Sequence, residues 1–406
     1  MDAGRESTRS NMSDKPISVL MFSSAIVRAG AEEHMLELLR GLDRRLFRLH
    51  LACPDVLLKQ YGNDIPKDVY VTPIMLEHLS DIRGAVRLAR TLRQQKIDIL
   101  HSHMFRASLL ASPVGKLCGV PVIIETTHVR ETWRTGWFKS KFFVDRAVGH
   151  LIDRYIAVSE ANSRYLVEQK RIPGKKVSVI QNGCSMERVD PSKAHPQGIR
   201  ESLGFSKDDL VLIVMARLEP QKGHRILLQA LSLLQPEFPS IRLICLGSGA
   251  LKDELSKMTR DLGLENTVRF VGFQANVGDW LAAADISVLP SFYEGLSLTA
   301  VETLAAGIPF IATAVDGTPE VVIDGETGLL VPPGDPAALA DAIGRLARQP
   351  ELRRKFALAG RDWVLKRFTI QRQIEQTSSL YLSEWLRQTS SNAQSLREET
   401  VSSERV

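Results

Sequence analysis

The sequence predicts an α/β protein made of two Rossmann-like domains, each a parallel sheet with crossover helices. Short β-branched runs alternate with amphipathic helical stretches along most of the chain, which is typical of parallel sheets. This alternation is interrupted once, between Cys184 and Phe205. The chain has 406 residues, 44% of them hydrophobic, which is long for one α/β unit and sufficient to bury two cores.

The first series begins with the strand ISVLMF at 17–22, followed by a loop and an amphipathic helix. Further strands are expected near residues 49, 69, 98, 121, 154 and 176. Because ligands bind outside the carboxyl ends of parallel strands, we expect the polar residues at these ends to line a cleft. These residues are His101, His103, Thr126, His128, Ser159 and Asn182. The candidates for contact with a ligand in this cleft are His103, Arg130, Ser159 and Asn182.

The second series predicts strands at 210–217, 241–247, 268–273, 286–290, 309–313 and 328–333, and helices at 336–348 and 351–367. Prolines and glycines break the periodicity before it, which predicts a linker at 191–207. The linker would separate a first domain at 16–190 from a second at 208–368. A helix over 369–388 is expected to cross back to the first domain. Residues 1–15 and 389–406 are predicted to be a disordered leader and tail.

Composition argues against several classes of protein. The four cysteines are dispersed without a CxxC pair, which disfavours a disulfide framework or a zinc site and favours a reducing cytoplasm. No apolar stretch is long enough to cross a bilayer, and the polar N-terminus lacks the core of a signal peptide, so we expect a cytoplasmic protein. Eleven Lys/Arg against five Asp/Glu lie between Arg130 and Lys176, which predicts a local anionic partner and not a nucleic-acid surface.

The strongest local motif is PSFYEGLSLTAVETLAAGIPF, which begins at residue 290. A strand end, a glycine turn and a helix start are expected there, so the amides of Gly295, Leu296 and Ser297 would face phosphate oxygens at a helix N-terminus. Glu302, further into the helix, could accept both hydroxyls of a ribose, and Glu294 would lie beside the sugar. Two exposed carboxylates at a helix end remain the alternative interpretation of this pair.

A second motif, ARLEPQKGH, follows the strand predicted at 210–217. Arg217 at the strand end and Lys222 before a helix would place two cations where a diphosphate can be clamped. They would neutralise the charge that develops on a departing phosphate. Solvated loop charges are the alternative, but the glutamate motif in the same predicted domain favours a functional site.

The order of AGAEEH, DILHSH, TTHVRE, AVSE, VIQNG, ARLEPQKG, LGSG, VRFVGF, EGLSLTAVE and GTPEVV resembles glycosyltransferase family 4. The resemblance runs from about residue 17 to about 385 and implies a retaining, group 1 hexosyltransferase of the GT-B fold, with its two domains facing across a cleft. It also implies that Arg217 and Lys222 bind the donor diphosphate. Glu302 would bind the ribose and Glu294 the donor sugar ring.

Two residues of the first domain also gain a role from this resemblance. Gly30 would be the glycine that approaches the donor closely, although many family members have paired glycines where this chain has Ala29 and Gly30. His128 would contact the sugar near the reaction centre. The sequence supports this independently, because His128 follows an apolar strand among polar residues; a structural histidine is the alternative.

We expect no metal and no other cofactor, and the nucleotide diphosphate sugar would be a co-substrate. The chain contains no Asp-x-Asp, by which many sugar transferases hold a divalent cation. Basic side chains and a helix terminus can supply that charge instead. Retention in the family implies a front-face substitution in which the leaving phosphate helps to deprotonate the acceptor, so no protein nucleophile is predicted.

Residues 133–143, WRTGWFKSKFF, interleave aromatic and basic side chains. This composition suits an anionic membrane interface, so we expect peripheral binding to the inner face of the cytoplasmic membrane, with a core helix as the equal alternative. The acceptor would be a polysaccharide or a lipid-linked glycan, as in lipopolysaccharide assembly. A UDP-sugar is the favoured donor and GDP-mannose the second.

Other functions remain open from the sequence. An epimerase of the same fold would consume nucleotide sugar without an acceptor. An inactive regulatory subunit would bind the nucleotide sugar without turnover. A dehydrogenase is disfavoured, because neither predicted first strand is followed by GxGxxG.

Overall fold

A computed structural model describes residues 15–76, 78, 81–131 and 142–403, with the backbone alone for Phe142 and for 391–403. The chain divides into two compact units. The first comprises the described residues up to Ala157, together with 165–180 and the residues from Ile374 onward. The second comprises 158–164 and 181–373. Each unit is built around one parallel sheet, as the sequence predicted.

The first unit contains a seven-stranded parallel sheet in the order β3-β2-β1-β4-β5-β6-β7. All six residues of its first strand are buried, as expected for a parallel strand covered on both faces. The strands are β1 (Ile17–Phe22), β2 (Phe47–Cys53), β3 (Tyr70–Pro73), β4 (Ile99–His103), β5 (Val122–Thr127), β6 (Arg154–Ala157) and β7 (Val177–Val179). Each lies where the sequence predicted a strand.

The second unit contains a six-stranded parallel sheet in the order β10-β9-β8-β11-β12-β13. The strands are β8 (Leu210–Met215), β9 (Ile241–Leu246), β10 (Val268–Gly272), β11 (Ile286–Leu289), β12 (Phe310–Thr313) and β13 (Gly328–Val331). Two hydrophobic clusters cover its two faces, one including Leu212 and Val214 and the other Val211 and Ile213. Alternate residues of β8 therefore enter opposite halves of the core.

The helices follow the amphipathic stretches. They are α1 (Gly30–Gly41), α2 (Asp55–Tyr61), α3 (Ile82–Gln94), α4 (Phe105–Leu117), α5 (Phe142–Leu151), α6 (Glu160–Arg164), α7 (Ile199–Ser202), α8 (His224–Leu234), α9 (Lys252–Asp261), α10 (Val277–Ala282), α11 (Leu298–Ala305), α12 (Thr318–Val321), α13 (Pro336–Arg348), α14 (Pro350–Arg367) and α15 (Ile370–Ser403). Within the described residues, no helix combines the length and apolarity that crossing a membrane requires.

The last helix differs from the sequence prediction in its length. The backbone of α15 continues to Ser403, whereas a disordered tail was expected from residue 389. From Ile374 onward it belongs to the first unit, where Tyr381 is fully buried and Glu384 forms an ion pair with Arg154 of β6. Polar composition predicted the end of the helix too early, because helical propensity can continue beyond the last buried turn.

The boundary between the units also differs from the prediction. The chain changes unit between Ile180 and Gln181, before the linker expected at 191–207. Residues of that segment pack onto the second unit: Phe205 is buried in its core and Arg200 pairs with Asp285 at 3.0 Å. The prolines and glycines there mark short turns on the surface of the unit, which sequence composition alone does not distinguish from a linker.

In both sheets the strand order reverses at one position, and this places the polar loops. In the first sheet β1 lies beside β4, and in the second β8 lies beside β11. The loops that leave such neighbouring strands diverge to opposite sides and open a crevice at the carboxyl ends, where open α/β sheets bind ligands. The polar residues after β1 and β4, and those after β8 and β11, are therefore the places to examine.

Candidate functional site

The loop after β8 enters the crevice of the second sheet through a tight turn. Residues Pro220–Lys222 form one 3-10 turn, and Gly223 ends it with φ of +67° before α8 begins at His224. A side chain at Gly223 would place its Cβ 2.0 Å from the carbonyl oxygen of Pro290, at the end of β11. Glycine is therefore required both by the left-handed backbone and by the close approach of the two loops.

Lys222 and Glu294 meet across this crevice. The Lys222 Nζ lies 2.6 Å from Glu294 Oε1, and both side chains are mostly buried. The hydroxyl of Ser291 donates to the same carboxylate oxygen at 2.6 Å. The Gln221 side chain adds a third connection by donating to the carbonyl of Tyr293 at 2.8 Å. Residues from the two sequence motifs thus meet in a direct ion pair.

A third loop, which follows β12, holds Glu294 through the backbone amide of that residue. The amide of Glu294 donates to Asp316 Oδ2 at 3.0 Å, and Asp316 has a φ of +43°. A Cβ on the next residue, Gly317, would stand 2.0 Å from the carbonyl of Gly295. Sequence reasoning missed Asp316 and Gly317 as site residues. Their signal was the Asp-Gly pair shortly after the end of β12, a dipeptide typical of tight turns.

The helix after Glu294 starts later than predicted. Ser297 is the N-cap of α11, and its Oγ accepts from the amide of Ala300 at 3.2 Å. The amides of Gly295 and Leu296 therefore precede the helix and do not belong to its first turn. In the described part of the chain, the amides of Gly295, Leu296 and Ser297 donate to no protein acceptor, which leaves them available to an anion.

Glu302 lies in the second turn of α11, on a face that is still accessible. Its side chain is 16% exposed, and Arg188 Nη1 lies 3.7 Å from Glu302 Oε1. Arg188 was not predicted as a site residue, because it lies in an irregular segment more than 100 residues away along the chain. A partly exposed carboxylate near the crevice can accept hydrogen bonds from hydroxyl groups of a ligand.

Arg217 lies two residues beyond β8 and is exposed. The strand it follows is joined to α11, since the Thr299 hydroxyl donates to the carbonyl of Met215 at 3.1 Å. No ion pair or side-chain hydrogen bond joins Arg217 to another described residue. This face of the second unit thus combines an unpaired guanidinium, a lysine and free backbone amides, which together suit a diphosphate.

The crevice of the first sheet is lined by histidines. His103 ends β4, His128 follows β5, and His34 lies on α1. His103 Nδ1 and His128 Nε2 are 3.2 Å apart, and the rings of His34 and His128 pack edge to face with centroids 4.8 Å apart. His101 lies behind them, held by Tyr381 at 2.5 Å and by the Thr126 hydroxyl at 2.7 Å.

Burial decides the charge state of these rings. All are nearly inaccessible to solvent. Desolvation lowers the pKa of His101 to about 3 and holds the pKa values of His103 and His128 well below the usual value. The rings of His101, His103 and His128 are therefore neutral at pH 7. A neutral His128 can act as a hydrogen-bond donor or acceptor, but carries no positive charge before the reaction.

Gly30 is the first residue of α1 and follows directly on the loop after β1. The preceding residue, Ala29, is the N-cap, and its amide donates to Glu32 Oε2 at 3.1 Å. The Glu32 carboxylate is buried and also accepts from Ser23. This residue was not predicted, although a glutamate three positions after a helix start is a recognised capping signal.

The remaining predicted candidates fall into different places. Ser159 and Asn182 were expected in the first domain, but the structure assigns both to the second unit. Ser159 is fully buried and its hydroxyl accepts from the amide of Asn162, which makes it a helix-start residue. Arg130 stays in the first unit and is half-buried beyond β5. Of the aromatic and basic segment 133–143, residues 133–141 lie outside the described part of the chain.

Two family models match the chain. The model described as Glycosyltransferase Family 4 matches residues 28–188, and the model described as Glycosyl transferases group 1 matches residues 197–363. The first match contains the histidine crevice of the first sheet. The second contains the crevice with Lys222 and Glu294.

Individual relatives agree with these matches. "Putative glycosyltransferase EpsD" of Bacillus subtilis is 34% identical over 302 residues, which cover 73% of this chain and 79% of the relative. A UDP-Gal:alpha-D-GlcNAc-diphosphoundecaprenol alpha-1,3-galactosyltransferase of Escherichia coli is 23% identical, covering 93% of this chain and 98% of the relative. Among solved structures, Alr3699/HepE of Anabaena in complex with UDP has a TM-score of 0.77 at 22% identity, covering 91% of this chain and 100% of that protein.

Proposed function

The chain belongs to the glycosyltransferases of group 1 and family 4, and from this premise we propose that it transfers a sugar from a nucleotide diphosphate sugar to a glycan or lipid-linked acceptor with retention of configuration. The favoured donor is a UDP-sugar, and GDP-mannose is the second choice. The observation that carries the proposal is the pairing of Lys222 with Glu294 at the crevice of the second sheet.

In the transfer step the bond between the sugar C1 and the diphosphate oxygen breaks, and a bond forms between C1 and the acceptor oxygen. The departing diphosphate gains negative charge, and one of its oxygens takes the acceptor proton. The oxygens of the departing diphosphate would receive positive charge from Lys222 and Arg217, and hydrogen bonds from the free amides of Gly295, Leu296 and Ser297. Such pre-placed groups stabilise the transition state more than the ground state.

The two glutamates take different parts of the donor in this proposal. Glu302 accepts the ribose hydroxyls, supported by its partial exposure on α11. Glu294 accepts a hydroxyl of the sugar ring, supported by its position at the end of β11, where Lys222 and Ser291 fix its carboxylate. Because Lys222 already contacts Glu294, we expect diphosphate binding to draw Lys222 partly away and free one carboxylate oxygen.

His128 is assigned to the transfer step and not to nucleotide binding. Its ring is neutral and is held by His103, so it can offer a hydrogen bond to the sugar as positive charge develops there. Replacement of His128 by alanine should therefore lower kcat at least 100-fold while leaving the affinity for the nucleotide unchanged. Equal loss of nucleotide affinity would remove His128 from this role.

We propose that the reaction needs no divalent metal. Two basic side chains and backbone amides at the same crevice can supply the charge that a bound cation supplies elsewhere. Activity should be the same in EDTA and in buffer with added Mg²⁺. A dependence on Mg²⁺ that persists at saturating donor would contradict this part of the proposal.

The acceptor is proposed as a lipid-linked glycan. Support comes from the E. coli relative, whose name specifies a diphosphoundecaprenol acceptor. The aromatic and basic segment 133–143 would bring the enzyme to an anionic membrane surface. Flotation with anionic and with neutral vesicles tests this, and unchanged retention after joint substitution of Trp133, Trp137 and Lys139 would reject it.

The central experiment uses the full chain in EDTA with a panel of UDP-, GDP- and ADP-sugars. Thermal shift measures donor binding, and release of nucleotide diphosphate with and without acceptor measures turnover. Lys222→Ala and Glu302→Ala should lower donor affinity at least tenfold. Lys257→Ala and Glu351→Ala are matched controls, because both side chains are more than 70% exposed on helices of the same unit.

Each alternative has its own outcome. Conversion of the donor to another sugar nucleotide without acceptor would indicate an epimerase. Binding without release of nucleotide diphosphate across a broad acceptor panel would indicate a regulatory subunit. Donor affinity that does not change in Lys222→Ala would show that the site is misplaced. NMR of the product anomeric proton decides between retention and inversion.

A further inference from the structure

Three histidines of the first unit converge from separate elements at one point of the sheet. His34 comes from α1 after β1, His103 from the end of β4, and His128 from the loop after β5. Because β1 and β4 are the neighbours at which the strand order reverses, the three rings lie at the ligand-binding edge of this sheet. No acidic side chain and no cysteine belongs to the group.

The ring nitrogens are gathered closely, and one pair already has the spacing of a metal site. One ring nitrogen can be taken from each histidine so that all three lie within 4.8 Å of one another. The closest pair, His103 Nδ1 and His128 Nε2, is 3.2 Å apart. Two nitrogen ligands at about 2.0–2.1 Å from a tetrahedral Zn²⁺ stand about 3.4 Å apart, so this pair already has nearly the required separation.

Neighbouring rings hold His103 in place. Its Nδ1 faces His128, so a metal between the two histidines would be bound by this nitrogen. The other nitrogen, Nε2, is fully buried and has no hydrogen-bond partner among the described residues. The imidazole of His103 packs against that of His101 at a centroid distance of 4.4 Å, which restricts its rotation away from the cluster.

Histidines that only fill a core are the competing explanation. A core role accounts well for His101, whose two nitrogens are both paired, with Tyr381 and with Thr126. It accounts less well for His103, where one nitrogen meets another histidine and the other meets nothing within the described residues. The donor set favours the metal, because three neutral imidazoles are the typical ligands of Zn²⁺ and other late divalent metals.

We propose that His34, His103 and His128 form a Zn²⁺ site with a fourth position open to water, and that Zn²⁺ bound there inhibits the transferase. The inhibitory part rests on the proposed function, because it follows from the role given to His128. Zn²⁺ on the His128 ring places a positive charge beside the sugar, where positive charge also develops during transfer, and so raises the barrier to the reaction. His34 has no part in that chemistry and serves as a ligand alone.

Direct binding tests the site independently of catalysis. The full chain, stripped with EDTA and dialysed, is titrated with ZnCl₂ by calorimetry without any nucleotide. One Zn²⁺ per chain is expected. His34→Gln and His103→Gln should each weaken binding at least tenfold, while His150→Gln, on an exposed position of the same unit, should leave it unchanged. Circular dichroism and melting of each variant in EDTA establish that it is folded.

Substitution of Co²⁺ gives a spectroscopic signature of the geometry. Tetrahedral Co²⁺ with nitrogen ligands absorbs visible light intensely, and this absorption should be present with the wild-type chain and lost in His34→Gln. Absence of Zn²⁺ binding, or equal binding by the wild-type chain and His34→Gln, would overturn the proposal. The second variant, His103→Gln, decides the same question if His34→Gln does not fold.

The activity measurement separates the two proposals. The rate of each protein in EDTA serves as its own reference, because the His34 ring packs against His128 and its replacement can change the basal rate. Addition of Zn²⁺ should inhibit the wild-type enzyme at least tenfold and have little effect on His34→Gln. Zn²⁺ binding without inhibition would retain the site and reject its regulatory role. A chain that binds Zn²⁺ but no nucleotide sugar would reject the proposed function alone.

Discussion

Gly223 connects the two loops of the candidate donor site, and its replacement by alanine should damage both stability and nucleotide binding. The residue has a φ of +67°, and an added Cβ would stand 2.0 Å from the carbonyl oxygen of Pro290. A carbon and a carbonyl oxygen in ordinary contact are about 3.3 Å apart, so the two loops must separate by about 1 Å or more. That movement shifts Lys222, the adjacent residue, relative to Glu294.

The size of the effect has two parts. A left-handed backbone costs an alanine about 1–2 kcal/mol, and forcing extra volume into a packed site costs about 1–3 kcal/mol more. Gly223→Ala should therefore lower the free energy of unfolding by about 2–5 kcal/mol. Gly263→Ala is the matched control, because Gly263 has a φ of +69° but no heavy atom within 4 Å of the added Cβ. Gly263→Ala should lose only the about 1–2 kcal/mol that the left-handed backbone costs.

Urea titration, followed by the fluorescence of Trp280 and Trp363 in the second unit, measures the unfolding of both variants. Thermal shift with the nucleotide sugar measures binding, which should weaken at least tenfold in Gly223→Ala and stay unchanged in Gly263→Ala. Equal loss of stability in the two variants would refute the reasoning, because it would show that the contact with Pro290 does not constrain the loops.

Three further predictions concern single side chains. Lys222→Met should lower the free energy of unfolding by about 2–3 kcal/mol, because it leaves the mostly buried Glu294 carboxylate without its cation. Adding Glu294→Gln should restore part of this loss. A double-mutant cycle that shows no coupling energy would contradict the ion pair. Burial lowers the pKa of His224 to about 4, so between pH 6.5 and 4 the unfolded chain binds more protons than the folded chain. The free energy of unfolding therefore decreases as the pH is lowered through this window, by up to about 1.4 kcal/mol per pH unit. Urea titrations from pH 7 to 4.5 should give a flatter profile for His224→Gln, and identical profiles would show that His224 does not titrate this way. Glu384→Gln should destabilise the first unit by about 3 kcal/mol, since it removes the buried carboxylate that pairs with Arg154 and Arg387. Glu351→Gln, at an exposed position, should change stability by less than about 0.5 kcal/mol in the same denaturant assay.

The strands and most helices could be predicted because their signals are local. Runs such as ISVLMF at 17–22 become strands, since a parallel strand buried on both faces must be apolar throughout. The helix at 336–348 has the predicted bounds, because Asp335 caps it and Pro336 suits its first turn. The end of the chain was less predictable, since the backbone of α15 extends beyond the apolar residues that marked it.

The candidate site was predictable as a list of residues but not as an arrangement. Arg217, Lys222, Glu294 and Glu302 could be named from their motifs, and the family could be identified from motif order. The sequence could not show which atoms meet, because Lys222 and Glu294 lie 72 residues apart and come together only when β8 pairs with β11. The helix start at Leu298, three residues after Gly295, likewise depends on how Ser297 caps it.

The sequence alone therefore determined the α/β class and the two-domain organisation, because periodicity and composition record which residues must be buried. The order of its motifs identified the family and the chemical types of the side chains in the candidate donor crevice. Only the tertiary structure decided the order of the strands, the unit boundary at 180–181, the support of Glu294 by Asp316, and the meeting of His34 with His103 and His128. These are contacts between distant segments. They form because the sheet packs as a whole, and no local pattern along the chain encodes a distance between two side chains.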